Sequence, residues 1–170
     1  RPQIKWGWIL IYSQHKLVMP KVDPVLVNLS SETYLGFDFG NKKIGTAVGQ
    51  LTTKIASPLE TIRSFNQTPN WEKIGQLIEE WQPDGLVVGV SRQADGSDNM
   101  ITPRILKFCR QLNGRYNLPV FQVDEALSTF EAKQMLYDDM QVNASKLWAV
   151  QDQLAAQLIL QSWLNQQAEQ

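Results

Sequence analysis

The stretch "TYLGFDFGNKKIGTAVGQ", residues 33–50, decides how the rest of the chain is read. Leu35, Phe37 and Phe39 alternate with Gly36, Asp38 and Gly40, and a period of two is that of a strand with its large side chains on one face. Asp38 therefore looks out from the small-residue face. A carboxylate among apolar neighbours must be desolvated, paired or bound to a cation, and desolvation alone is strongly unfavourable. "GNKK" turns the chain, "IGTAVGQ" (44–50) reads as a second strand and "SPLETIR" (57–63) as a short third one, so the opening of the domain is a meander.

Beyond residue 67 the texture changes. "TPNWEKIGQLIEEW" (68–81) begins with a Thr or Asn cap and repeats apolar residues at Trp71, Ile74, Leu77, Ile78 and Trp81, which is helical spacing. "LVVGV" (86–90) is a continuous apolar run, as expected for a strand covered on both faces. Residues 100–117 carry a second helix with Ile101, Ile105, Phe108 and Leu112 as its core stripe, and "LPVFQV" (118–123) is a further buried strand stopped by "DE". Helices at about 128–140 and 149–166 complete the pattern. This order predicts an α/β domain over residues 33–170. Its mixed five-stranded sheet has three antiparallel strands followed by parallel additions, with helices on both faces. Residues 1–32 are read as an N-terminal extension or flexible arm; "IKWGWILIY" (4–12) falls short of the about 20 apolar residues that span a bilayer, so no membrane anchor is expected.

Composition narrows the chemistry. Sixteen Lys and Arg against seventeen Asp and Glu leave a net charge of −1, so a polyanion must be met by a local patch rather than a global field. The single cysteine, Cys109, excludes an internal disulfide and fits a reducing compartment, for which the cytoplasm is the default. With His15 the only histidine, neither a Ser/His/Asp triad in the body of the domain nor a His-based zinc site can be built.

Acidic residues remain. Parallel strands point their carboxyl ends one way and ligands sit beyond those ends. Asp38 lies late in the first strand, Asp124 and Glu125 end the last, and Asp152 opens a helix face continued by Ala155, Ala156, Ile159 and Trp163. Together they form an all-oxygen donor set that suits Mg²⁺ or Mn²⁺. Two such ions about 3.5–4 Å apart activate water and stabilise the leaving oxygen in phosphodiester hydrolysis. Each acid also has an ordinary reading: Asp38 as a hydrogen-bond acceptor for a turn, Asp152 as a partner of a helix dipole, and the "DE" pair as a solvated strand end.

The motifs "LGFDFGNKKIGTAVGQ", "GLVVGVSRQADGSD", "VDEALSTFEAKQML" and "DQLAAQLILQSWL" resemble, in order and spacing, those of the YqgF (RuvX) family of RNase H-like Holliday junction resolvases, over residues 34–166. The resemblance implies an RNase H-like fold, a divalent-metal nuclease site and trimming of the 5′ end of pre-16S ribosomal RNA. It matches Asp38, Asp124, Glu125 and Asp152 to the catalytic acids, with Asp38, Glu125 and Asp152 as metal ligands. Lys42 corresponds to the lysine of the first motif, suited to phosphate contact. Two departures stand out: Ala126 replaces the arginine of the usual "DER", and "GVSRQ" (89–93) replaces the usual "GLP" element. Arg92 is a candidate to compensate.

Nucleic acid is the expected partner, as precursor ribosomal RNA, ribosomal precursor particles or branched DNA, bound by a monomer or homodimer. Its phosphates would meet Lys42, Lys43, Arg92, Arg104 and Lys107; Arg104, Lys107 and Arg110 fall within roughly 120° on one side of their helix. Tyr116, Phe130 and Trp148 can stack on bases or pack in the core. Two other functions share the pattern: a junction-resolving DNA endonuclease and a non-catalytic nucleic-acid-binding module.

Overall fold

The computed structural model describes residues 32–125 and 144–168, and for residues 144–153 and 168 their backbone alone. The proposed arm at 1–31, the helix expected at 128–140, and Ala126 and Phe130 lie outside the described residues, as do the side chains of Trp148 and Asp152. The elements are β1 (Thr33–Phe39), β2 (Lys43–Gln50), β3 (Ile55–Pro58), β4 (Ile62–Arg63), α1 (Trp71–Trp81), β5 (Gly85–Val90), α2 (Thr102–Tyr116), β6 (Val120–Asp124) and α3 (Ala144–Ala168). They build a mixed sheet in the order β3-β2-β1-β5-β6, with β4 also paired to β2. β2 is antiparallel to both its neighbours, β1 and β3, whereas β5 lies parallel to β1 and β6 parallel to β5.

The sheet therefore has six strands rather than the expected five. "SPLETIR" does not run straight: Pro58 lacks the N–H that would continue the ladder, the Leu59 N–H turns back to the Thr46 carbonyl at 2.8 Å, and the chain rejoins β2 only at Ile62. The Thr46 hydroxyl also donates to the Glu60 carbonyl inside this bend.

Alternation divides the core into two. Leu35, Phe37, Phe39, Ile44, Val48, Leu86, Val88 and Val90 face α1 and α2, where they meet Ile74, Leu77, Ile105, Phe108 and Leu112. Tyr34, Ala47, Val87 and Val123 face α3, meeting Ala156, Ile159, Leu160, Trp163 and Leu164. The α3 side is lined with glycine where the helix approaches. A Cβ on Gly36 would stand 2.8 Å from the Leu160 Cβ, and one on Gly49 would stand 2.9 Å from Leu164 Cδ1. α3 lies against the backbone because those side chains are missing.

Local signals explain the helix ends. Asn70 caps α1 by accepting the Lys73 N–H at 3.2 Å, and Gln82 ends it in the left-handed region with φ of 46°. Before α2, the Asn99 Oδ1 accepts the N–H groups of Ile101 and Thr102, each at 3.0 Å. α3 also reaches the outer side of β3. Gln161 Oε1 accepts the Ala56 N–H at 3.0 Å, Gln157 Nε2 donates to the Ala56 carbonyl at 2.9 Å, and Gln161 Nε2 donates to the Lys54 carbonyl at 2.7 Å.

Candidate active site

β1, β5 and β6 are parallel, so their carboxyl ends share one edge of the sheet. Asp38 stands near that edge on the α3 side, since it follows Gly36 by one full period of the strand. It is half-buried and opposite Gly45 of β2. The β1–β5 ladder ends at Phe37–Val88, one residue before Asp38 on β1 and Gly89 on β5.

Gly89 also lies next to the second acid. A Cβ there would come within 3.1 Å of the Glu125 Cγ and 2.3 Å of Ile159 Cδ1. Glu125 is thus on the α3 side, as are Phe121 and Val123 before it. Asp124 pairs in register with Val90, and alternation directs it to the α2 side, with Val120 and Gln122. Of the two neighbouring acids, Glu125 is the one that shares a face with Asp38. The width of one strand separates them, and that strand contributes a glycine.

The third acid is followed through the helix backbone. The Tyr34 ring lies 4.4 Å from that of Trp163, and two residues further along β1 Gly36 meets Ala156 and Leu160. β1 and α3 therefore run in opposite directions, and two strand residues (about 6.6 Å) nearly match one helical turn (about 5.4 Å). The turn of α3 that precedes Ala156, which includes backbone position 152, therefore lies toward the end of β1 that carries Asp38. Among the described residues, no group of three metal-ligating side chains is assembled. The donor set nonetheless fits a hard divalent cation: it consists of carboxylate oxygens, and Asp38 and Glu125 stand on one face of the sheet toward its carboxyl edge.

The expected phosphate-binding residues are spread over two regions. Lys42 and Lys43 form the turn after β1, where the Lys42 carbonyl accepts the Ser64 N–H at 2.9 Å and Lys43 pairs with Arg63 of β4. Arg104 is engaged by two turns: Nη1 donates to Asn41 Oδ1 at 2.6 Å and to Gln67 Oε1 at 2.9 Å, and Nη2 to the Gln67 carbonyl at 2.8 Å. Its guanidinium also lies 6.0 Å from the centre of the Phe39 ring. Arg92 is ion-paired to Asp98 at 3.5 Å and, with Arg110, Asn113 and Gln122, lines an open groove of about 570 Å³ between α2 and β6. Lys107 is exposed on α2. Tyr116 packs against Trp71 at the core margin.

Three contributors were not singled out by the sequence pattern. Gly89 is masked in "LVVGV" because both faces of β5 are covered. Asn41 and Gln67 have no mark of their own; what unites them is Arg104, 63 and 37 residues away.

A model of the family described as "RuvX: Holliday junction resolvase" matches residues 32–166. The chain belongs to the RuvX family. RuvX relatives from Methylococcus capsulatus (strain Bath) and Glaesserella parasuis both bear the name "Putative pre-16S rRNA nuclease". The first is 51% identical over 133 residues, 78% of this chain and 88% of the relative. The second is 46% identical over 138 residues, 81% of this chain and 99% of the relative. Among solved structures the RuvX chain is similar in fold to Thermus thermophilus RuvC, with a TM-score of 0.50, 14% identity and coverage of 81% of this chain and 96% of that one. It is also similar to the yeast mitochondrial Holliday junction resolvase Ydc2, with a TM-score of 0.50, 13% identity and coverage of 82% and 80%. These neighbours support the RNase H-like architecture. No described helix is long and apolar enough to cross a membrane.

Proposed function

We propose that this RuvX chain is a Mg²⁺- or Mn²⁺-dependent nuclease that hydrolyses phosphodiester bonds at the 5′ end of pre-16S ribosomal RNA, acting on precursor particles in the cytoplasm. The observation that carries this reading is the shared face of Asp38 and Glu125 on either side of the side-chain-free Gly89. Asp38, Glu125 and Asp152 are the residues that would hold the cation. When bound, it supplies an activated water and charge stabilisation for the leaving oxygen.

The chain's own residues do the rest. Gly45, opposite Asp38 in the ladder, adds no side chain beside it, and Gly89 lets Ile159 and Glu125 come close to β5. Lys42, Lys43, Arg92 and Lys107 contact backbone phosphates without reading sequence. Arg104 acts mainly by holding the turns at Asn41 and Gln67 in place. Asp124, expected as a catalytic acid, lies in register with Val90 on the opposite face, away from Asp38 and Glu125. The names of the curated relatives support the ribosomal substrate.

The test is a cleavage assay on precursor 16S RNA and on a four-way DNA junction, with Mg²⁺ or Mn²⁺, using wild type, Asp38→Asn and Asp152→Asn. Wild type should cut the RNA only with the cation, and both variants should stay folded and inactive. Cleavage of the junction alone would move the activity to DNA. Undiminished turnover by Asp38→Asn would remove the site from consideration.

A further inference from the structure

Phe65 is 78% exposed, and the turn that displays it is fixed from several sides. Phe65 and Thr68 exchange both backbone hydrogen bonds at 2.9 Å, closing a two-residue loop whose members Asn66 and Gln67 have φ of 50° and 60°. Such a loop has the backbone of a type I′ hairpin turn. Arg104 holds it through the side chain and carbonyl of Gln67, and the Ser64 N–H ties it to the Lys42 carbonyl.

Cations outnumber acids around it. Segments 40–46 and 60–68 contribute Lys42, Lys43 and Arg63 against one acid, Glu60, and Arg104 adds a fourth cation. β4 runs antiparallel to β2, and β2 antiparallel to β1, so the chain leaves β4 toward the same sheet edge at which β1 ends. Two strand spacings, about 10 Å of sheet, lie between β1 and β4. A single exposed aromatic residue is ordinary on a protein surface. One presented on a clamped turn, among four cations and beside the carboxylate edge, combines the two components of single-strand recognition: a flat ring for a base and positive charge for the backbone.

We propose that Phe65 is a stacking platform for an unpaired base of single-stranded RNA, which it holds in line with the carboxylate site while Lys42 and Arg63 take the neighbouring phosphates. This rests on the reading of the substrate given above and identifies the part of it recognised: an unpaired nucleotide flanking the cut rather than a duplex.

The experiment measures anisotropy of a labelled single-stranded RNA, and of the same sequence as a duplex, without divalent cations. It compares full-length wild type, Phe65→Ala, Phe65→Trp and Lys42→Ala. Phe65→Ala should bind the single strand about 5- to 100-fold more weakly and the duplex as wild type does, with Phe65→Trp restoring affinity. The slope of log affinity against log salt should be unchanged by Phe65→Ala and shallower by about 0.7 in Lys42→Ala. Phe65→Ala should melt with wild type, since its ring is exposed. Equal affinity of Phe65→Ala and wild type for the single strand overturns the platform while leaving the nuclease reading intact, and so does an equal loss on duplex. A wild type with no affinity for RNA overturns both.

Discussion

Glu125 and Gly89 are neighbours on the α3 face of the sheet: a Cβ at position 89 would lie 3.1 Å from the Glu125 Cγ. The same Cβ would press into Ile159, 2.8 Å from its Cγ1, which cannot swing aside as a chain end can. One glycine therefore sets both the height of the helix over the sheet and the position of an acid.

Gly89→Ala should lower stability by about 1–3 kcal/mol through overpacking, seen as a fall of several degrees in Tm. Turnover measured well below that Tm should fall further than the loss of folded protein explains, because Glu125 and α3 are displaced together. A variant with lowered Tm and full turnover would show that the glycine serves packing alone.

Glu125→Gln and Asp124→Asn should separate sharply. The first changes the carboxylate that shares a face with Asp38 and should reduce turnover by at least about 100-fold, more than the usual loss of an outer-shell partner. The second, directed to the α2 side, should retain most activity. Cleavage rates at saturating Mn²⁺, with thermal melts as a folding control, decide the assignment.

Arg104→Lys should behave much like Arg104→Ala. A lysine has no planar fork with which to meet Asn41 and both oxygens of Gln67 at once. Both variants should lose about 1–2 kcal/mol and should loosen the turn at Gln67, whose φ of 60° is unfavourable for a residue with a Cβ. Amide hydrogen exchange at Phe65 and Thr68 checks this, with faster exchange in either variant as the expected outcome.

Cys109 offers a pH test. Burial pushes its thiol up to about 11, whereas an unfolded cysteine titrates near about 8.5. The folded state keeps its proton where the unfolded state has lost it, so this contribution to stability is complete below about pH 8.5 and is lost as pH rises toward 11. Chemical denaturation from pH 8 to 11 should show the decline in wild type and a flatter profile in Cys109→Ala. Native protein should also alkylate far more slowly than unfolded protein at pH 8.

The strand of Asp38 is legible because β1 has one large-residue face and one small-residue face, so that alternation survives in the sequence. In β5 every residue is buried, and the placement of Gly89 opposite an acid cannot be read from an apolar run. The choice between Asp124 and Glu125 depends on the parity of β6, an edge strand of which only Val123 is buried, so burial marks no regular face; the contacts of Phe121 and Val123 with α3 reveal it. Arg104 looks like a phosphate ligand on a helical wheel because a wheel shows only the residue's own helix, whereas its partners come from turns at 41 and 67. The split of "SPLETIR" into β3 and β4 follows from Pro58 and the Thr46 contacts, which are equally non-local.

The glutamines of α3 that bond to Lys54 and Ala56 bear on the behaviour of the protein in concentrated solution. An outermost strand with vacant amide and carbonyl groups invites a stranger's strand to extend the sheet, the first step toward fibres. Here two side chains from the molecule's own helix already occupy those groups at Ala56, so that flank of the sheet is sealed against growth.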